Sequence, residues 1–144
     1  MTLHHDNRIL IYDKGENIKL SENFNLWEFE DDLEDESNHF TLVSPYLITA
    51  MQQIRSTLGV PVRITSGFRT AQKNGSIGGA TKSYHTKGMA ADWTAKVDLL
   101  EFYRTITDSH FNRFPFIKGV GYYPTRNFIH IDVRDSIGRS VWVG

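Results

Sequence analysis

A change of hydrophobic period partway along the chain limits it to one fold class. Between Ser44 and Gly59, Leu47, Met51, Ile54 and Leu58 recur at helical spacing, with Ser44 as N-cap, Pro45 in the first turn and Gly59 as the stop. From Val60 to Thr65 the period drops to two, through Val60, Val62 and Ile64, which predicts a strand. A second helix is predicted over Val97–Thr107, carried by Leu99, Phe102, Tyr103 and Ile106. Ile117–Tyr123, Asn127–Val133 and Arg139–Val143 are then short, β-branched and aromatic, and turn residues at Pro124-Thr125 and 135–138 separate them. They predict antiparallel strands of a meander. The class is α+β, a small antiparallel sheet packed with N-terminal helices.

At 144 residues and 40% hydrophobic content, the chain can build one core and has little left for a second. We divide it into an N-terminal arm, 1–19, and one domain, 20–144. Ile9 to Tyr12 is a strand candidate within the arm, and Leu26, Trp27 and Phe29 suggest a short helical turn flanking the core. A glycine-rich connection, Asn74–Ala80, precedes a short apolar stretch at Met89–Trp93. There is no cysteine, which excludes disulfide scaffolds, thiol nucleophiles and iron–sulfur sites and leaves His and carboxylates as metal ligands. No basic segment followed by an apolar run opens the sequence, and no stretch approaches 18 apolar residues, so neither a signal peptide nor a membrane span is expected.

Seven of the nine residues from Glu28 to Glu36 are acidic; outside them 16 basic residues face 10 acidic ones. That surplus suits an anionic polymer such as cell wall or nucleic acid, or an ordinary mixed surface beside a solvated acidic loop. The basic residues are scattered and no nucleic-acid-binding motif is present, so nucleic acid is not an expected partner.

His85 and Asp92, in SYHTKGMAADW, and His130, in NFIHIDV, stand out together. Two His and one carboxylate make a full protein ligand set for a catalytic zinc with an open fourth position. On spacing alone they read equally as a loop histidine, a turn cap and a hydrogen-bonded sheet residue. His4, His5, His39 and His110 lie in polar or terminal segments and read as solvent-exposed. Trp93 alternates with Asp92 and is expected in the core, whereas Tyr84, Tyr122 and Tyr123 read as packing or as cleft walls.

Three blocks, SGFRT at 66–70, GGATKSYHTKGMAADW at 78–93 and GVGYYPTRNFIHIDVR at 119–134, occur in that order. Together with LSENFNLWEF at 20–29, they make the chain resemble the zinc D-Ala-D-Ala carboxypeptidases and phage peptidoglycan peptidases of metallopeptidase family fifteen, subfamily A, with their hedgehog-like, LAS-type fold. The resemblance implies that His85, Asp92 and His130 hold one zinc ion, that Arg69 takes a substrate carboxylate and that Ser83 supports the substrate near the metal. A planar guanidinium suits that anchor because it grips a carboxylate through two parallel hydrogen bonds. Several relatives carry Glu or Asp three residues before the last zinc histidine, where this chain has Asn127. Asp132, on the same strand face as His130, is the substitute for proton transfer; its other reading is to orient His130 or to pair with Arg134.

The resemblance implies a zinc peptidase hydrolysing an amide bond of peptidoglycan stem peptides, as a carboxypeptidase or as an endolysin-type endopeptidase. The alternative from another class is a catalytically silent zinc domain that binds cell wall or belongs to a virion. A monomer is expected, made in the cytoplasm and reaching the wall by holin-type release or within a virion.

Overall fold

The structure is a computed structural model that describes residues 8–31, 38–79, 83–108 and 112–144. His4, His5, His110, residues 32–37 of the acidic run and residues 80–82 of the second sequence block lie outside the described residues.

The strand expected in the arm forms: β1 (Leu10–Asp13) pairs antiparallel with β2 (Phe40–Val43), and Ile9, Leu10, Tyr12 and Leu20 pack against the core. This part of the arm therefore lies on the body of the protein. Leu26–Phe29 is a single 3-10 turn that buries Leu26 and Phe29. Helix α1 (Pro45–Leu58) keeps the predicted ends: Ser44 Oγ accepts from the amides of Tyr46 and Leu47 at 3.1 and 3.3 Å, and Gly59 closes it in the left-handed conformation. Its Leu47, Met51 and Ile54 are fully buried.

Strand β3 (Val62–Ser66) follows, then a short helix not expected from the sequence, α2 (Ala71–Ser76), capped by Thr70 Oγ1 on the Lys73 amide at 3.1 Å. After β4 (Ala90–Ala95), α3 (Leu99–Asp108) starts two residues later than predicted because Asp98 Oδ1 accepts the amide of Glu101 at 3.1 Å. The chain ends in β5 (Gly119–Tyr123), β6 (Phe128–Asp132) and β7 (Ser140–Val143).

These strands form a five-stranded sheet in the order β3-β4-β6-β5-β7. The first four are antiparallel, but β7 runs parallel to β5 and adds to its outer edge, so the expected meander is corrected at its last strand. Gly119, which starts β5, pairs with Asp132, which ends β6, and with Ser140, which starts β7. The chain leaves β6 at the end where β5 begins, and residues 133–139 bring it back to the same end, where the Ser140 amide donates to the carbonyl oxygen of Lys118 at 2.8 Å, so β7 starts beside the start of β5. One face of the sheet, with Trp93, Ile129, Ile131 and Val120, joins α1 and α3 in the core. The opposite face carries Asp92, His130, Gly121 and Trp142 in one register row.

Candidate metal centre

Strand alternation and register account for the meeting of Asp92 and His130: they are direct partners on the central strands β4 and β6, on the face opposite Trp93 and Ile129. His85 arrives from a 3-10 turn, Tyr84–Lys87, started by Ser83 and ended by Gly88 at φ 72°. The expected core position of Trp93 holds, at 0% exposure.

The donor atoms of His85, Asp92 and His130 all lie within 4.8 Å of one another. Asp92 Oδ1 is 3.3 Å from His85 Nε2 and 2.9 Å from His130 Nδ1. Ligand atoms bound tetrahedrally at ~2.0–2.1 Å are themselves separated by ~3.3 Å, so the spacing fits one zinc ion. The tautomers give a stricter test. His85 Nδ1 lies 2.8 Å from the carbonyl oxygen of Gly67, which can only accept, so the proton is on Nδ1 and the lone pair of Nε2 faces the centre. His130 stands between two carboxylates, Nε2 2.9 Å from Asp132 Oδ2 and Nδ1 2.9 Å from Asp92 Oδ1; with Nε2 donating to Asp132, Nδ1 carries either a proton for Asp92 or a lone pair for a cation at the same point. Two imidazole nitrogens and a carboxylate oxygen thus converge, an arrangement held together by positive charge among them, as protons on the rings or as a metal ion.

Burial opposes ionisation of Asp92, but its hydrogen bonds to His130 and His85 and their charge outweigh it and hold the carboxyl well below the usual range. Burial likewise lowers His130, and the bonds to Asp132 and Asp92 more than compensate, raising it overall.

Asp132 sits behind His130. It is 0% exposed, and besides His130 it accepts from Arg134 Nε on Oδ1 and from Arg134 Nη2 on Oδ2, both at 2.7 Å. Against the pull of burial, those bonds bring its pKa down to about 2. The expectation that Asp132 exchanges protons with a bound water meets a carboxylate whose oxygens are committed to Arg134 and His130. Ser83 serves as the cap of the His85 turn: its Oγ accepts the His85 amide at 3.2 Å.

Arg69 does line the cleft. Its Nε donates to Ser66 Oγ at 3.1 Å, Nη1 to Asn74 Oδ1 at 3.0 Å, and Nη2 lies 3.5 Å from Asp92 Oδ2, so it is held beside the metal donors. A β-bulge between Ile64 and Ser66 brings Ser66 opposite Asp92. Asn127 is the left-handed residue of the β5–β6 turn, at φ 57°, a conformation that asparagine tolerates better than most side chains.

Trp142 was not anticipated as part of the site. Its ring packs 5.3 Å from that of His130, its Nε1 donates to Tyr123 Oη at 2.8 Å, and the Arg134 guanidinium lies 5.9 Å from it and 4.5 Å from the Tyr84 ring. The glycines of GVG make the room: a Cβ on Gly121 would meet Trp142 Nε1 at 2.3 Å, and one on Gly119 would meet Asp132 Oδ2 at 2.2 Å. Two glycines at period two on the face of His130 were the available signal that something bulky covers that strand. Of the tyrosines, Tyr123 and Tyr84 support this aromatic surround, while Tyr122 stacks on Tyr103 on the core side.

The cleft beside the metal donors has a volume of about 690 Å³, and Arg63, Arg69, Lys73 and Arg126 all line it. Among the described residues no helix is long and apolar enough to cross a membrane.

The family model described as Peptidase M15 matches residues 22–132. The peptidoglycan L,D-endopeptidase MepK of Escherichia coli strain K12 is 35% identical over 103 residues, covering 67% of this chain and 54% of that protein. The probable peptidoglycan L,D-endopeptidase MepK of Haemophilus influenzae is 35% identical over 105 residues, covering 67% and 53%. The chain spans about half the length of these curated relatives.

Proposed function

The chain belongs to the peptidase M15 family, whose peptidases are zinc-dependent, and from that membership we propose that it hydrolyses an amide bond in peptidoglycan stem peptides. The observation that carries the proposal is the convergence of two imidazole nitrogens and Asp92 Oδ1 on one point beside a cleft. His85, Asp92 and His130 would hold the metal. When bound there, zinc lowers the pKa of its water toward ~7 and polarises the scissile carbonyl.

The chain's own residues supply the positioning. Gly67 and Asp132 fix the two imidazoles through their outer nitrogens. Arg69, locked to Ser66 and Asn74, presents a guanidinium to a substrate carboxylate next to the reacting bond. Ser83 acts through His85 by capping its turn. With Asp132 orienting His130, proton transfer falls to another group, and Glu30 and Asp31, the carboxylates besides Asp92 that line the cleft among the described residues, are the candidates we propose. Glu30 is held in place by the Gly15 amide and Thr41 Oγ1 on its Oε2.

Endopeptidase action is the reading we favour over carboxypeptidase action, because the relatives are L,D-endopeptidases. Its place of action is then the cell wall, reached by release from the cell or within a virion. Mass spectrometry of purified wall digested with the zinc-loaded protein identifies the new termini. Internal stem-peptide cleavage is expected, loss of only a terminal D-Ala would establish a carboxypeptidase, and intact wall would leave a zinc-containing binding domain.

A further inference from the structure

We propose that Arg63 and Arg126 form a second carboxylate subsite in the cleft, so that the preferred substrate carries two free carboxylates, one for Arg69 and one further along the sheet. The proposal rests on the peptidase reading above and extends it to substrate choice.

Four cations line the cleft, and their surroundings differ. Arg69 is paired with Asp92 at 3.5 Å. Among the described residues, Arg63 and Arg126 have no carboxylate within ion-pair distance, although both are exposed and border the same cavity. Glu30, Asp31 and Asp92 line the same cavity, but none of them pairs with Arg63 or Arg126, whose charges are therefore open to a bound anion. Arg126 is not a loose surface side chain: its guanidinium lies 5.2 Å from the centre of the Phe128 ring. Phe128 is stacked on Tyr123 at 4.5 Å, Tyr123 takes the indole N–H of Trp142, and Trp142 packs on His130. A continuous run of rings therefore ties Arg126 to the metal-side histidine.

Register sets the spacing. Arg63 pairs with Thr94 on β4, two residues beyond Asp92, and Phe128 is two residues from His130 on β6. Two residues along a strand span about 6.6–6.8 Å, and the long arginine side chains reach further, so the second carboxylate would sit roughly 7–10 Å from the metal donors. That matches two to three residues of extended peptide at ~3.3–3.6 Å each. Stem peptides with a free side-chain or α-carboxyl group at that distance meet the requirement.

The test uses the zinc-loaded full chain and the peptide L-Ala-γ-D-Glu-L-Lys-D-Ala-D-Ala, alongside the same peptide with the D-Glu α-carboxyl amidated. Calorimetry gives affinity and mass spectrometry gives cleavage. The wild type is expected to bind the free acid about 10-fold more tightly than the amide. The double variant Arg63→Gln, Arg126→Gln should bind both peptides alike, as weakly as the wild type binds the amide. A variant that keeps the wild-type discrimination, or that weakens both peptides equally, overturns the subsite. Cleavage by the wild type without any preference for the acid also overturns it and leaves the peptidase reading standing. Discrimination lost in the variant, with neither peptide cut by the wild type, upholds the subsite and counts against the peptidase reading.

Discussion

Behind His130, Asp132 and Arg134 satisfy one another through two bonds of 2.7 Å with the carboxylate fully buried. On the side of Asp92, the cleft holds exposed arginines, Arg63 and Arg126, with no carboxylate partner among the described residues. The two regions use charge for opposite ends. A buried carboxylate gripped by two guanidinium bonds is held rigidly and can fix the ring it touches. An exposed guanidinium keeps its hydration until an anion replaces it, so it contributes little to the fold and is available for recognition.

The contrast can be broken hardest at the ring between the two regions. His130→Ala is expected to bring zinc from one ion per chain to near none, to abolish turnover, and to remove the metal-dependent stabilisation, about 2.7 kcal/mol when zinc is 100-fold above its dissociation constant. Elemental analysis and thermal unfolding with and without zinc check both; equal zinc in variant and wild type would sink the assignment. Asp132→Asn breaks the rear pair. It should lower zinc affinity by about 10–100-fold, with turnover recovering in excess zinc. Zinc titration run alongside turnover decides, since loss that added metal does not rescue would return proton transfer to Asp132.

Arg69→Lys acts in the cleft. It keeps the charge but loses the fork, so efficiency on a substrate with a free carboxylate should fall about 10–100-fold, equivalent to ~1.5–3 kcal/mol. The lysine also gives up Ser66 and Asn74, so an amidated substrate is the control, and an equal fall on both would remove the carboxylate from Arg69. The mildest change in activity is expected from Gly121→Ala, which forces the Trp142 ring off its seat at a stability cost of about 1–3 kcal/mol while leaving the metal donors in place. Denaturant midpoints with indole fluorescence measure that displacement.

Local chemistry made α1 legible, because its cap, its spacing and its stop all lie within its own residues. The metal triad was legible as a set of residue types, and the resemblance gave it an order. The last three residues of α2 fall within the glycine-rich connection Asn74–Ala80, since Asn74 and Gly75 disfavour helix, and the Thr70 cap overrides that preference. The direction of β7 cannot be read from Ser140–Val143, since the same four residues can pair either way and the short link behind them decides. Asn127 was judged by the carboxylate it replaces, whereas the backbone there needs a residue that accepts positive φ. The commitment of Asp132 to Arg134 follows from rotamers and burial, which strand periodicity narrows to a face but not to a partner.

The sheet order has a consequence for how the molecule opens. β3–β4 and β5–β6 are each antiparallel pairs of strands consecutive in the chain, and they meet along the β4–β6 ladder. His85 and Asp92 belong to the earlier half and His130 to the later one, so a shared ion would clasp the seam between two strand pairs. Metal binding should then slow amide hydrogen exchange most along Ala90–Trp93 and Ile129–Asp132, the rows that must separate when that seam parts, and least at the outer edges of the sheet.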